Sequence, residues 1–150
     1  MGSWGSGVFD SDVAQDFLLD VERGGAATVT EWMSDYAETL DDGTFDWSDA
    51  SAALAPGFLV AAAHGEWPSP NGDVARLIER KRGFLRRRTI GAEIRAEVEV
   101  PPAAGLARAA RDAYATESFA EALSDASQQS AYVASAESVV AALDRIEAKG

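Results

Sequence analysis

Two groups of carboxylates are the side chains best placed to do chemistry in this chain. The first is Asp10 and Asp12, which follow Trp4 and Phe9 in a stretch with glycines at positions 2, 5 and 7. Carboxylates beside an indole could bind a cation or a basic group, so Trp4, Asp10 and Asp12 form a candidate ligand site. A structural reading competes with it: the two aromatics pin the terminus to a core, and Asp10 or Asp12 caps the first helix. The second group is Asp41, Asp42, Asp46 and Asp49, which surround Trp47. A calcium loop needs alternating acids, a glycine at its sixth position and a distal glutamate. This spacing lacks them, and a solvated loop leading into a helix is the expectation.

Other chemistry is largely excluded. The chain has no cysteine, so disulfides, thiolate metal sites and thiol nucleophiles are absent. His64 is the only histidine, which rules out a multi-histidine metal centre. It ends an apolar stretch, where a helix C-terminus would favour its protonated form and offer it backbone carbonyls. The serines sit in neither a Gly-Xaa-Ser-Xaa-Gly nor a Ser-Xaa-Xaa-Lys pattern, and the early glycines match no phosphate-binding loop. No catalytic set stands out, and no motif calls for a cofactor or a metal.

Charge is the most unusual bulk property. The net charge is −12 over 150 residues, and its distribution is uneven. Residues 1–75 carry 14 acids against a single base, Arg23, whereas residues 76–150 carry 11 acids against 12 bases. Such an acidic half can steer a basic partner. The basic run from Arg80 to Arg88 raises nucleic acid as a third option, disfavoured because the net field of the molecule repels phosphate. The longest apolar stretch, residues 52–63, is too short to span a bilayer and is interrupted by Pro56-Gly57. With no targeting segment visible, the expectation is a cytoplasmic protein without membrane contact.

The elements that must position these residues read as helices. Residues 13–23 place Ala14, Phe17, Leu18 and Val21 on one face, and Gly24-Gly25 ends the run. Thr28 and Glu31 form a capping-box pattern, so a second helix is expected to start there. Its apolar face is Val29, Trp32, Met33, Tyr36, Ala37 and Leu40, with Glu31, Asp35, Glu38 and Asp42 mostly opposite. Ser48 is the expected cap of an alanine-rich helix over 49–64, kinked or split at Pro56. A rigid Pro/Gly loop over 67–72 leads to a helix over 73–87 with Val74, Leu77, Ile78 and Leu85 inward. Residues 92–100 alternate apolar and charged side chains, which reads as a half-buried strand, yet Ile94 and Val98, and Arg95 and Glu99, also stand at helical i, i+4 spacing; an extended segment is the expectation. Pro101-Pro102 opens a helix to Tyr114, Ser118 and Glu121 cap a short one, and a final helix runs over 129–148. No repeat or linker divides the chain, so a single all-α domain of six to eight short helices is expected.

The opening Met1-Gly2-Ser3-Trp4-Gly5-Ser6-Gly7-Val8-Phe9-Asp10-Ser11-Asp12, followed by an amphipathic helix, resembles the start of the bacterial family DUF4259. Members of that family begin Met-Gly-small-Trp-Gly, then Phe, then an acidic cluster leading into a helix. The resemblance continues through the alanine-rich segment ending at His64-Gly65 and the closing pattern from Ser118 to Ile146. It departs where Phe58 stands in place of a frequent carboxylate and Tyr132 in place of a tryptophan. The resemblance implies a small bacterial domain without an assigned activity.

The expected function is a non-catalytic binding protein whose acidic face meets a basic protein partner. Asp35, Glu38, Asp42 and Asp46 are the candidate contacts. By analogy, the size and charge suit an immunity or antitoxin role. The alternative is a small-ligand or hydrolytic domain using the carboxylates near Trp4.

Overall fold

The computed structural model describes residues 7–82, 88–125 and 127–150. Among them the fold is all-α, with eight helices and one two-stranded antiparallel sheet.

Helix α1 (Asp12–Gly24) begins at neither predicted aspartate cap. Ser11 Oγ accepts from the Ala14 N–H at 3.2 Å, and Ser11 is itself buried. A hydroxyl serves there because a buried carboxylate would pay a larger desolvation penalty. Helix α1 buries Ala14, Phe17, Leu18 and Val21, as the spacing predicts. Gly25, at φ 66°, turns the chain in one residue, and α2 (Ala26–Asp41) starts directly after it. The Thr28/Glu31 capping box is therefore unused: Thr28 already lies inside the helix. A Cβ on Gly25 would stand 2.7 Å from Arg82 Nε and Glu93 Oε1, side-chain ends that can shift, so it is the positive φ that calls for glycine at this corner.

Helix α3 (Trp47–Ala63) is the centre of the fold. Every residue from Ala52 to Ala63 is buried, and α1, α2, α5, α6 and α8 pack around it. Its cap is Asp46, not Ser48. Asp46 Oδ1 accepts from the Ser48 N–H at 2.9 Å, and Asp49 Oδ2 accepts from the Asp46 N–H at 3.1 Å. Pro56 neither ends nor divides the helix, because burial on all sides outweighs one missing hydrogen bond. Gly57 sets the approach of α8, since a Cβ there would meet Val139 Cγ1 at 3.1 Å and Leu143 Cδ1 at 3.3 Å.

The largest departures from expectation fall over residues 80–98. Helix α4 (Gly72–Glu79) stops early, capped at its start by Asn71. Its apolar stripe has no continuation at positions 81 and 82, which are Lys and Arg. The chain extends instead into β1 (Lys81–Arg82), which pairs with β2 (Arg88–Thr89). The expected inward position of Leu85 lies outside the described residues. Helix α5 (Ile90–Glu97) occupies most of the segment expected to be extended. Thr89 caps it, and Ile90, Ile94 and Val98 are buried at i, i+4 and i+8 against neighbouring helices. The elements packed on this segment are mainly helices, which offer a surface for the four-residue spacing rather than a strand edge for the alternation.

Helix α6 (Val100–Tyr114) opens at the two prolines, as expected. Helix α7 (Glu117–Ala122) is capped by Thr116, two residues before the predicted Ser118. Helix α8 (Gln128–Lys149) packs on α6 and α3 and buries Ala136, Val139 and Leu143. Among the described residues, no helix is long and apolar enough to cross a membrane.

Candidate functional site

Helix α2 is the element on which the acidic character concentrates. It contains no basic residue, and Glu31, Asp35, Glu38 and Asp42 fall at i, i+4, i+7 and i+11, one stripe of the helix surface. All four are exposed, as is Asp41. Their carboxylates neither accept a hydrogen bond nor pair with a base among the described residues. Other acids of the first half are engaged: Glu22 with Arg80 at 2.7 Å, Glu66 with Arg145 at 3.0 Å and with Lys149, and Asp73 with Arg76. Asp41 and Asp42 sit at the negative end of the helix dipole, where carboxylates are disfavoured. The field reaches inward to Tyr36. Burial, reinforced by the charges of Asp49 and Asp35, pushes its phenol up to about 12.

Beside this stripe lies an apolar groove of ≈ 540 Å³ between α2 and the α5–α6 corner. Met33, Ala37 and Leu40 form one wall; Val98, Gly105 and Leu106 form the other. Leu40 is 38% exposed, unusual for a leucine on the face expected to be buried. Ala37 is exposed as well. Among the described residues, the charged side chains lining the groove are Glu97 and Glu99, both exposed. Arg108, the nearest base along α6, is held on the α8 side by Asp144 at 2.6 Å.

Of the predicted contacts, Asp35, Glu38 and Asp42 are thus brought onto one surface. Asp46 stands apart in role: it is exposed, but its carboxylate is the cap of α3. Hydrogen bonds from Ser48, the hydroxyl first, hold its pKa below 3.8. Trp4 lies outside the described residues. Asp10 is half-buried and accepts from the Gly7 N–H at 2.9 Å, while Asp12 is half-buried in the first turn of α1. No group of three or more metal-ligating side chains occurs among the described residues.

His64 is the C-cap of α3, but not as a protonated cap. Arg95 Nη1 takes the Ala63 carbonyl at 2.8 Å, and desolvation together with the Arg95 charge lowers the imidazole pKa from 6.5. The basic run is also partly spent internally, with Arg80 on Glu22 and Arg82 on Glu93 at 3.7 Å. Arg86 and Arg87 lie outside the described residues.

A second pocket, of ≈ 400 Å³, opens beside Trp47, Tyr114, Phe119 and Tyr132. Ser51 Oγ and the Tyr114 hydroxyl lie 2.7 Å apart, and burial pushes the Tyr114 phenol up to about 12. Tyr132 packs edge-on against Phe119 at 5.0 Å, so its aromatic ring serves the core. Phe58 does the same between Phe9 at 5.0 Å and Trp67 at 6.3 Å. The groove itself was not foreseen. Its sequence signal is weak: Ala37 and Leu40 extend an apolar face past what one neighbour covers, and Gly105 leaves a gap in the side chains along α6.

Comparison with curated proteins and with solved structures returns no match. One family does match, described as a domain of unknown function, DUF4259, over residues 2–86. That match spans more than half of the sequence, and the chain belongs to this family.

Proposed function

We propose that the chain is a non-catalytic binding protein whose α2 face meets a basic protein partner. The observation that carries this reading is the row of uncompensated carboxylates on α2, two of them at the helix end where they are least favourable. Like charges at i, i+4 destabilise a helix by roughly 0.2–0.5 kcal/mol per pair, and acids at a C-terminus add a similar amount. Folding gains nothing from that arrangement, whereas steering of a cationic surface does. An immunity-like or antitoxin-like role is consistent with the size and charge by analogy alone. A cytoplasmic location completes the proposal.

The test is capture from lysate of the native cell at low and moderate salt, comparing wild type with an Asp35→Asn, Glu38→Gln, Asp42→Asn, Asp46→Asn variant. Asparagine at 46 keeps the α3 cap while removing its charge. A basic protein retained by wild type at low salt, and lost with salt or in the variant, supports the reading. A captured set unchanged by the four substitutions, with unchanged salt dependence, overturns it.

A further inference from the structure

Resting on the acidic-face reading, we infer that the groove between α2 and α6 seats the apolar side of a basic amphipathic helix from the partner. Three observations meet here. The lining is mostly apolar, with Met33, Ala37 and Leu40 on one wall and Val98 and Leu106 on the other. One border is acidic, where Glu97 and Glu99 stand, and the stripe of Glu31, Asp35, Glu38 and Asp42 runs along α2 outside the other. Around α2, the groove face lies between the core face and the acid stripe, offset from the stripe by roughly a third of a turn. An apolar strip flanked by anions is the complement of a helix with an apolar stripe flanked by Lys and Arg.

Gly105 supplies the third observation. A glycine inside an exposed helix is unfavourable by about 1 kcal/mol relative to alanine. Where a neighbour demands it, as at Gly57, the demand shows as a close contact. At Gly105 a Cβ would meet nothing within 4 Å. No packing within the described fold requires the missing side chain, and its absence leaves the groove open to an incoming side chain or backbone. The α2 wall runs from Thr30 to Leu40, ~15 Å at the helical rise. That is room for about three turns of a docked helix, read through i, i+3, i+4 and i+7 anchors.

The probe is a synthetic Leu/Lys peptide of about 18 residues with leucines at helical i, i+3, i+4 and i+7 spacing. Its control is a peptide of the same composition, shuffled so that no apolar face exists. Binding is read by fluorescence anisotropy for wild type, for Gly105→Gln and for the four-site charge variant. Glutamine is a good helix former, so Gly105→Gln folds, verified by circular dichroism, while placing a neutral polar chain in the groove. The expected result is at least tenfold tighter binding of the amphipathic peptide by wild type, lost in Gly105→Gln, with the shuffled peptide insensitive to that substitution. Equal binding of both peptides, unaffected by Gly105→Gln but abolished in the charge variant, overturns the groove and leaves the acidic face standing. Absence of salt-dependent binding to either peptide overturns both.

Discussion

Arg95 of α5 donates from Nη1 to the carbonyl oxygen of Ala63 at 2.8 Å, closing the C-terminus of α3 beside the buried edge of His64. The guanidinium thereby takes the place at the helix end that a protonated histidine would fill. His64 Nε2 is buried without a hydrogen-bond partner among the described residues, and burial, followed by the Arg95 charge, lowers its pKa from 6.5. As the pH falls below 6.5, the unfolded chain takes up the proton before the fold does. Stability from this group is full above 6.5, declines towards the lower native pKa and levels off beneath it. NMR titration of the single imidazole is expected to give a pKa below 6.5. In Arg95→Met that value moves part of the way back, since desolvation remains, and stability drops by about 1 kcal/mol with the lost helix-end bond. An unmoved imidazole pKa would remove Arg95 from this account.

Gly57 and Gly105 give opposite answers to one substitution. Alanine is favoured over glycine in a helix by about 1 kcal/mol, and added volume in a packed core costs about 1–3 kcal/mol. At Gly57 the new methyl presses on Val139 and Leu143, both fully buried in α8, so Gly57→Ala is expected to lower stability by about 1 kcal/mol. At Gly105 it meets nothing, and Gly105→Ala is expected to raise stability by roughly 0.5–1 kcal/mol. Urea midpoints of the two variants, at unchanged m-value, decide both.

What the sequence made legible was periodicity. Phe17 and Val21, Val29 and Met33, and Val139 and Leu143 all point into the core as their spacing requires. Starts were harder, because several polar residues compete for each cap. Ser11, Asp46 and Thr116 cap where Asp10 or Asp12, Ser48 and Ser118 were expected. Ser11 falls between its two expected aspartates, and α3 and α7 begin two residues earlier than their strongest motifs suggest. Residues 92–98 satisfied both a two-residue and a four-residue spacing, and only the surrounding helices could choose between them. The acid stripe on α2 was visible in the sequence. The groove beside it was not, since it depends on where the α5–α6 corner comes to rest against α2.

The Asp46 cap separates cap from neighbour. Asp46→Ala is expected to destabilise the protein by about 1 kcal/mol, whereas Asp46→Asn and Ser48→Ala change it by a few tenths. The Asp46 carboxyl is held below 3.8, first by the Ser48 hydroxyl, so its contribution is present above 3.8 and is lost as pH falls through the native value. Acid unfolding curves should therefore be shallower for Asp46→Asn than for wild type. Identical curves would show that the carboxylate adds nothing beyond the geometry asparagine also supplies.

The acid stripe itself should be a burden on the fold. Glu38 and Asp42 stand at i, i+4 with no base to offset them, at the helix end that disfavours negative charge. Glu38→Gln with Asp42→Asn is expected to raise stability by about 1 kcal/mol at low ionic strength, combining relief of the pair and of the dipole. The gain should shrink as salt rises, because exposed charges are screened over about 8 Å at physiological strength. Thermal melts of both proteins across a salt series measure it. A double variant that is more stable alone yet weaker towards a basic partner places the stripe in service of binding. A double variant that is less stable at low salt would give these carboxylates a folding role, and the uncompensated charge on α2 would no longer argue for a partner.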